Sequence, residues 1–243
     1  MDKLLEMKLG GVGFDHLASV YEQYTGKIAV ENLRPSWLIF SSGFAKTKPL
    51  LAAKRTMDIL CAGIGLVVLS PLMLAVALMV RLTSRGPVLC QQFRVGQYGR
   101  VFKVHKFRSM DVDAETVTGV VWASSTGIRA TSIGNFLRRS RLDELPELWN
   151  VFVGEMSLVG PRPERPEFVA KLSQTIPLYG LRHVMRPGLT GWAQVRDTYG
   201  ASVEYGLEKL QYDLYYIKHL RLALDAAILF LTIKTVILSR AAR

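Results

Sequence analysis

The sequence predicts a mostly α-helical protein with a small β-hairpin and a bent apolar helix at a membrane. Three observations lead to this fold class. An uncharged apolar run from Ile59 to Val80 is interrupted by Ser70-Pro71. Valine, phenylalanine and glutamine residues between Pro87 and Met110, with Gly96 and Gly99 in their middle, predict a strand, a turn and a second strand. Helical patterns and tight turns alternate from Ser132 onwards.

The apolar run is long enough to cross a bilayer. At about 1.5 Å per residue it would reach roughly 33 Å as one straight helix, against a hydrocarbon core of about 30 Å. A proline inside a helix removes a backbone donor and bends the chain, so two shorter arms are equally compatible with the pattern. Both flanks are basic, with Lys54 and Arg55 before the run and Arg81 and Arg85 after it. Because both flanks would prefer the cytoplasmic side, a re-entrant hairpin and a kinked span both stay open at this point.

The C-terminal part, from about Val203, is also predicted to be helical. Its segment from Leu220 to Leu238 is strongly apolar but contains Asp225 and Lys234. Charged residues inside a membrane span are costly, so this helix is expected to lie in the membrane interface or to pack on the domain.

The composition favours anionic partners. Lysine and arginine outnumber aspartate and glutamate by 31 to 20, which gives a net charge of +11. Such a balance suits anionic membrane lipids or phosphorylated substrates. Nucleic acid is not expected, because the basic residues are scattered and no nucleic-acid-binding motif is present. The two cysteines, Cys61 and Cys90, predict no disulfide framework, and Met1 to Gly13 lacks the apolar core of a cleavable signal peptide.

The candidate chemistry lies between Arg138 and Pro146. Pro146 is accepted only in the first turn of a helix, which predicts that the helix running toward Gly154 begins near Asp143. A carboxylate at that place would stay ionised, and the helix dipole and the upstream arginines would attract phosphate to it. Asp143 could therefore attack phosphorus, while Glu144 could hold a divalent ion that bridges a diphosphate. The plainer interpretation is a helix cap at Asp143 with arginines on the surface.

Other basic residues are candidates for phosphate contacts. Arg162 stands between two prolines, which fix the backbone and aim the guanidinium group. Lys106 and Arg108 alternate with Phe107 on the presumed second strand, so both should share one face. Arg186 begins a Pro-Gly turn. Considered alone, Arg162 can also be a solvated loop residue, Lys106 and Arg108 ordinary strand residues, and Arg186 part of a plain turn, which is the better explanation for Arg186.

Taken together, these residues closely resemble those of the bacterial sugar transferases, the monotopic phosphoglycosyl transferases, from about Lys54 to Arg243. The matching segments are Lys54-Arg55-Thr56-Met57-Asp58, Ser70-Pro71, Lys106-Phe107-Arg108-Ser109-Met110, Asp143-Glu144-Leu145-Pro146-Glu147-Leu148-Trp149-Asn150, Met156-Ser157-Leu158-Val159-Gly160-Pro161-Arg162-Pro163-Glu164, Arg186-Pro187-Gly188-Leu189-Thr190-Gly191-Trp192-Ala193-Gln194-Val195 and Tyr212-Asp213-Leu214-Tyr215-Tyr216.

The resemblance implies a monotopic membrane protein that moves a sugar 1-phosphate from a UDP-sugar to polyprenyl (undecaprenyl) phosphate and releases UMP. It also implies that the cofactor is Mg²⁺. It further implies that Asp143 is the nucleophile and that Glu144, together with Asp143, binds the metal. Arg138 and Arg162 would then contact phosphate. The apolar run would be a re-entrant helix bent at Ser70-Pro71, accompanied by interfacial amphipathic helices. The expected location is the bacterial inner membrane, with the catalytic domain on its cytoplasmic face.

The resemblance divides the chain into three parts. Residues 51–85 would be the re-entrant helix and residues 86–243 the catalytic domain, whereas residues 1–50 resemble the stretch upstream of the catalytic part in longer members. That upstream stretch is expected to be either a disordered remnant or a docking strand. The sequence departs from the family at Ser125 to Arg129 and at Arg196 to Thr198, which affects expected substrate contacts.

Two other functions fit the same residues. A basic membrane scaffold without catalysis would explain the charge and the anchor, and a metal-dependent hydrolase of lipid diphosphates would use the same carboxylates with water as nucleophile. The sugar, the polyprenol and the oligomeric state are not specified by the sequence, which is compatible with a homo-oligomer.

Overall fold

Helices make up most of the chain in the computed structural model, which describes residues 2–14, 17–30, 41–110, 132–196 and 202–241. The α-helices are α1 (Asp2–Leu9), α2 (Leu17–Thr25), α3 (Lys48–Val68), α4 (Ser70–Thr83), α5 (Ser132–Arg139), α6 (Glu147–Val153), α7 (Pro166–Thr175), α8 (Trp192–Val195), α9 (Val203–Lys218) and α10 (Leu222–Ala241). The strands are β1 (Leu89–Val95), β2 (Val101–Phe107), β3 (Ser157–Val159) and β4 (Gly188–Thr190). This confirms the mostly α-helical fold with a small β-hairpin.

Helices α3 and α4 meet at a bend of 60°, as the Ser70-Pro71 pair predicts. Pro71 has no N–H to donate to the carbonyl of Val67, four residues earlier. The hydroxyl of Ser70 donates to that carbonyl instead, over 2.7 Å. No helix in the described part of the chain is by itself long and apolar enough to cross a membrane, but α3 and α4 together meet that criterion by length and composition.

Strands β1 and β2 form the predicted antiparallel hairpin. The register pairs Leu89 with Phe107 and Val95 with Val101. The connecting turn contains Tyr98 and Gly99 with positive φ angles of 55° and 76°. The inner face of the hairpin packs against α6, because Asn150 binds the backbone at Lys103 and His105.

The main core is built around α9 and the parallel pair of β3 and β4. Leu210, Leu214 and Ile217 of α9 are fully buried in it. The two strands run so close that a Cβ atom on Gly188 would lie 2.1 Å from the backbone nitrogen of Gly160. Only glycine fits at position 188, which explains why the turn that begins with Arg186-Pro187 continues with a glycine.

The C-terminal helix α10 packs on the domain, one of the two expected arrangements. Asp225 is completely buried and forms an ion pair with Lys54 of α3, with 2.6 Å between Lys54 Nζ and Asp225 Oδ2. Ile228 is also buried, whereas Phe230 and Ile233 are exposed. The charged residue that argued against a membrane span therefore joins two helices inside the protein.

The upstream residues 22–30 dock onto the domain. Ile28 and Val30 are buried in the main core. The Ile28 N–H donates to the carbonyl of Gln211, and Trp192 Nε1 donates to the carbonyl of Gly26. Docking was one of the two expectations for this stretch, but the described residues 17–30 contain no strand. Residues 31–40 of this upstream stretch lie outside the described residues.

Candidate active site

Asp143 and Glu144 lie in a short 3-10 turn, Leu142–Glu144, and not in the first turn of an α-helix. Helix α6 begins only at Glu147, with Pro146 as its N-cap. The expectation that this helix begins near Asp143 is therefore wrong. Arg141, before the turn, has a left-handed backbone with φ of 54°, which redirects the chain between α5 and the acidic pair. A helix of seven residues that starts after the pair contributes little dipole at Asp143.

Glu144 is held by cations from three segments of the chain. Its Oε1 atom lies 2.6 Å from Arg162 Nη2 and 3.1 Å from Lys106 Nζ, and its Oε2 atom lies 3.3 Å from Arg141 Nη1. The side chain of Glu144 is 11% exposed. These contacts bring together β2, the loop after β3 and the acidic turn, so predicted residues far apart in the sequence converge on one carboxylate.

Glu147 also belongs to this cluster, although the sequence reasoning gave it no role. Its Oε1 atom lies 2.9 Å from Lys106 Nζ, so Lys106 binds both Glu144 and Glu147. The available signal was its spacing, because a residue three positions after Glu144 lies on the same side of a helix. Arg141 was missed as an individual ligand of Glu144 for a different reason, since its contact depends on an unusual backbone conformation.

The three carboxylates differ in their affinity for protons. Burial, and then the charge of Glu144, raise the pKa of Asp143 to about 6. Burial acts in the same direction on Glu144, but Arg162, Lys106 and Arg141 together hold its pKa well below the ordinary value. Burial also raises the pKa of Glu147, against the charge of Lys106. The charge of Asp143 near neutral pH therefore has an energetic cost, which is typical of functional groups.

The loop that carries Arg162 is fixed by backbone hydrogen bonds. The Gly160 N–H donates to Thr190 O, and the Gly188 N–H donates to Pro161 O, both over 2.9 Å. The carbonyl of Arg162 accepts from Nη2 of the buried Arg182 at 2.9 Å. The predicted presentation of Arg162 by a rigid loop is thus seen in the structure, and its guanidinium group points to Glu144.

The other predicted basic residues are divided between the cluster and other places. The positive charge of Arg138 opposes the rise in the pKa of Asp143, so Arg138 lies close enough to interact with that carboxylate. Arg108 lies beyond the end of β2, so it does not share a strand face with Lys106. It donates to carbonyls of Ser84 and Pro87 at the end of α4, and Arg186 Nε donates to the carbonyl of Gly154. The geometry gives no support to a phosphate contact by Arg108 or Arg186.

Arg94 is a further basic neighbour that the sequence reasoning missed. It lies on the inner face of β1, where its Nη1 donates to the carbonyl of Pro163 at 3.3 Å. Burial lowers its pKa, and the charges of Glu164 and Arg162 act on it. Strand alternation could have placed it on the inner face, but not beside the Arg162 loop.

Within the described ranges, no group of three or more His, Cys, Asp or Glu side chains is arranged to bind a metal ion. A cavity of about 620 Å³ lies elsewhere, between α2 and the end of α9, and is lined by Lys46 and His219 among others. None of the predicted site residues lines that cavity.

The segments that depart from the family pattern are described only in part. Residues 125–129, Asp197 and Thr198 lie outside the described residues, whereas Arg196 stacks over Trp192 at 4.2 Å.

The chain is similar to proteins with named activities. Residues 50–239 match the sequence profile of a family described as bacterial sugar transferase. A protein of Aeromonas hydrophila named UDP-N-acetylgalactosamine-undecaprenyl-phosphate N-acetylgalactosaminephosphotransferase is 42% identical over 229 residues, which are 94% of this chain and 53% of that protein. A UDP-glucose:undecaprenyl-phosphate glucose-1-phosphate transferase of Xanthomonas campestris pv. campestris is 42% identical over 209 residues, which are 85% of this chain and 42% of that protein.

The relatives differ in length. The chain spans about half or less of the two relatives above. By contrast, a protein of Rhizobium leguminosarum bv. phaseoli named exopolysaccharide production protein PSS is 41% identical over 188 residues, which are 75% of this chain and 94% of that protein. The extent of these matches and the gathering of Glu144, Lys106 and Arg162 lead to one conclusion: the chain belongs to the bacterial sugar transferase family.

Proposed function

We propose that this protein transfers a sugar 1-phosphate from a UDP-sugar to polyprenyl phosphate, undecaprenyl phosphate above all, and releases UMP. The observation that carries this proposal is the buried Asp143, whose pKa is raised to about 6, beside a Glu144 that is bound by Arg162 and Lys106. The names of the relatives from Aeromonas and Xanthomonas support the same donor and acceptor classes. The name of the Rhizobium relative supports a place in exopolysaccharide synthesis.

In the first step, an ionised Oδ of Asp143 attacks the phosphorus that bears the sugar. A bond forms between that oxygen and phosphorus, and the bond to the bridging oxygen of the diphosphate breaks, so UMP leaves with that oxygen. Lys106, Arg138 and Arg162 place positive charge around the reacting phosphates, where charge builds up in the transition state. The product is an aspartyl phosphosugar on the enzyme.

In the second step, a phosphate oxygen of the polyprenyl phosphate attacks the same phosphorus and the bond to Asp143 breaks. The carboxylate is regenerated, and the sugar is now joined to the lipid through a diphosphate. Because donor and acceptor react in turn with the same carboxylate, the kinetics should be ping-pong.

The donor set suits magnesium bound chiefly through substrate phosphates. Mg²⁺ usually keeps several waters and takes one or two protein carboxylates together with phosphate oxygens. Asp143 and Glu144 supply two carboxylates in consecutive positions, so these two residues would hold the ion. When bound, Mg²⁺ would offset the negative charge of the diphosphate. Removal of divalent ions with EDTA should abolish turnover, and added Mg²⁺ should restore it.

We also propose that α3 and α4 form a re-entrant hairpin in the inner membrane, with the catalytic domain on the cytoplasmic face. Many apolar residues of the two helices are exposed, including Leu60, Ile64, Val67, Leu74 and Leu78. Such a surface is typical of contact with lipid tails. The basic flanks would then lie near anionic headgroups, and the Asp143 cluster could reach the lipid phosphate at the membrane surface.

One assay tests the function against its two competitors. Purified full-length protein is incubated with polyprenyl phosphate and radiolabelled UDP-sugars, including UDP-glucose and UDP-N-acetylgalactosamine, and both UMP and lipid-phase label are measured. We expect label in the lipid phase with equimolar UMP. Water-soluble sugar phosphate with no labelled lipid would indicate a hydrolase, and no conversion of any UDP-sugar would favour a scaffold. Either result would overturn the proposal.

A further inference from the structure

Strand β3 is held by two buried polar side chains from other elements. Oδ1 of Asp58, on α3, accepts the Leu158 N–H at 3.0 Å. The hydroxyl of Tyr216, on α9, lies 3.0 Å from the carbonyl of Val159. Asp58 and Tyr216 are each only 1% exposed. Leu158 is therefore bound from outside the sheet of β3, and the next residue, Val159, contacts Tyr216, whose single hydroxyl hydrogen is shared with Asp225.

Tyr216 also belongs to a buried charged network, and Asp58 lies near enough for its charge to act on Tyr216. The Tyr216 hydroxyl donates to Oδ1 of Asp225 at 2.7 Å, and Lys54 forms an ion pair with Oδ2 of Asp225 at 2.6 Å. Lys54 and Asp58 lie on α3, one helical turn apart, and Asp225 lies on α10. Buried charges persist only when they are paired and hydrogen-bonded, so this network fixes α3, α9, α10 and β3 in one relative position.

Strand β3 leads directly to the active site. Val159 is followed by Gly160, Pro161 and Arg162, and Arg162 reaches Glu144 at 2.6 Å. The segment has little freedom to absorb a shift of the strand. Proline fixes the backbone at position 161, and a Cβ atom on Gly160 would lie 2.5 Å from the carbonyl of Arg186. A displacement at Leu158 should therefore be transmitted to the Arg162 guanidinium group.

We infer that Asp58 is a positioning residue for Arg162: by holding β3 against α3, it sets the place at which Arg162 meets the donor diphosphate. The inference rests on the proposed function for the identity of that donor. It gives α3 a second task, because the same helix that would enter the membrane also supports the phosphate-binding loop. The hydrogen bond from Leu158 is the critical contact. It needs an acceptor oxygen at position 58, but it does not need a charge there.

The first test compares Asp58→Ala with Asp58→Asn in the full-length protein. The asparagine carboxamide keeps an oxygen that can accept the Leu158 N–H, whereas alanine removes it. We expect Asp58→Ala to lower kcat/KM for the UDP-sugar by about tenfold and Asp58→Asn to stay within about threefold of the wild type. The matched control is Glu22→Gln, which alters a buried carboxylate that binds Lys218 and His219 and does not touch β3. It should lower the melting temperature and leave kcat/KM unchanged.

The second test separates positioning from a loss of stability. If Asp58 acts through Arg162, then Asp58→Ala should have little further effect on kcat/KM in an Arg162→Lys background. Fully additive effects would show a structural role alone and overturn the inference.

The third test does not depend on turnover. Amide hydrogen exchange should be faster in the peptide that covers residues 158–162 in Asp58→Ala, and unchanged there in Glu22→Gln. If the exchange rate of this peptide in Asp58→Ala equals that in the wild type, the inference is overturned, whether or not the variant is active. Conversely, faster exchange in a protein that converts no UDP-sugar would reject the proposed function and leave the link between Asp58 and the Arg162 loop intact.

Discussion

Asp143 and Glu144 are consecutive carboxylates whose pKa values are shifted in opposite directions. Glu144 takes the ion pairs of Arg162, Lys106 and Arg141, and its pKa is held well below the ordinary range. The pKa of Asp143 is raised to about 6 by burial and by the charge of Glu144. Two adjacent acids thus have different chemical character: Glu144 organises the cations, and Asp143 keeps a desolvated charge that can react.

The first prediction concerns Asp143 as a nucleophile. Asp143→Asn should abolish release of UMP, because a carboxamide at this position cannot form the acyl-phosphate bond with the sugar phosphate. Intact-mass measurement after incubation of the wild type with UDP-sugar and Mg²⁺, without lipid acceptor, should show the added mass of one sugar phosphate. The variant should show none and should still fractionate with membranes. A near-normal rate in Asp143→Asn would exclude the covalent route.

The second prediction concerns stability. Since the pKa of Asp143 is higher in the folded protein than its ordinary value of 3.8, the folded state binds more protons between about pH 4 and 6, and stability falls as the pH rises through that window. Asp143→Asn removes this penalty and should raise the free energy of unfolding by up to about 3 kcal/mol at pH 8. The gain should shrink at pH 5 and be lost near pH 4. Denaturant titrations at these pH values measure it, and a gain independent of pH would show that burial of the charge is not its cause.

Local features of the fold could be predicted from the sequence because their causes are local. Pro71 lacks an amide hydrogen wherever it stands, so the bend at Ser70-Pro71 follows from covalent structure. The same holds for the hairpin turn at Gly96 and Gly99. The docking of Ile28 into the core depends on a partner at Gln211, far away in the sequence, and no local pattern specifies such a pairing.

The site shows the same division. Its acidic pair could be identified, because Asp143, Glu144 and Pro146 are adjacent and the family resemblance includes them. Lys106 and Arg108 look equivalent in the sequence, but Lys106 reaches the acids and Arg108 binds carbonyls at the end of α4. Only the end of β2 at Phe107 separates the two outcomes, and strand ends are set by tertiary packing.

The third prediction concerns Arg162. Arg162→Met should lower kcat/KM for the UDP-sugar by about 10²- to 10³-fold, since a positive group aimed at the reacting phosphates is lost. It should also raise the pKa of Glu144, because Arg162 is the strongest of the charges that hold it down. Carboxyl NMR titration of the wild type and the variant measures this shift. Arg100→Gln removes one exposed positive charge in the hairpin turn and is the matched control. If both variants lose activity equally, the effect is that of net charge and not of the Arg162 contact.

The fourth prediction concerns the bend between α3 and α4. Pro71→Leu restores a backbone donor for the carbonyl of Val67 and removes the clash with the preceding turn, so the two helices should join into one. A straight helix from Lys48 to Thr83 would reach about 54 Å, long enough to cross the bilayer. In a chain whose two native cysteines are replaced by serine, single cysteines at positions 48 and 85 should be labelled from the same side with Pro71 and from opposite sides with leucine. Ser70→Ala is the control. It removes the hydroxyl that binds Val67 O but keeps the proline, so both positions should stay on one side.

Pro71→Leu could also leave both positions labelled from one side. That result would mean that the proline does not set the topology. The basic residues that flank the apolar run would then be sufficient to keep both ends in the cytoplasm.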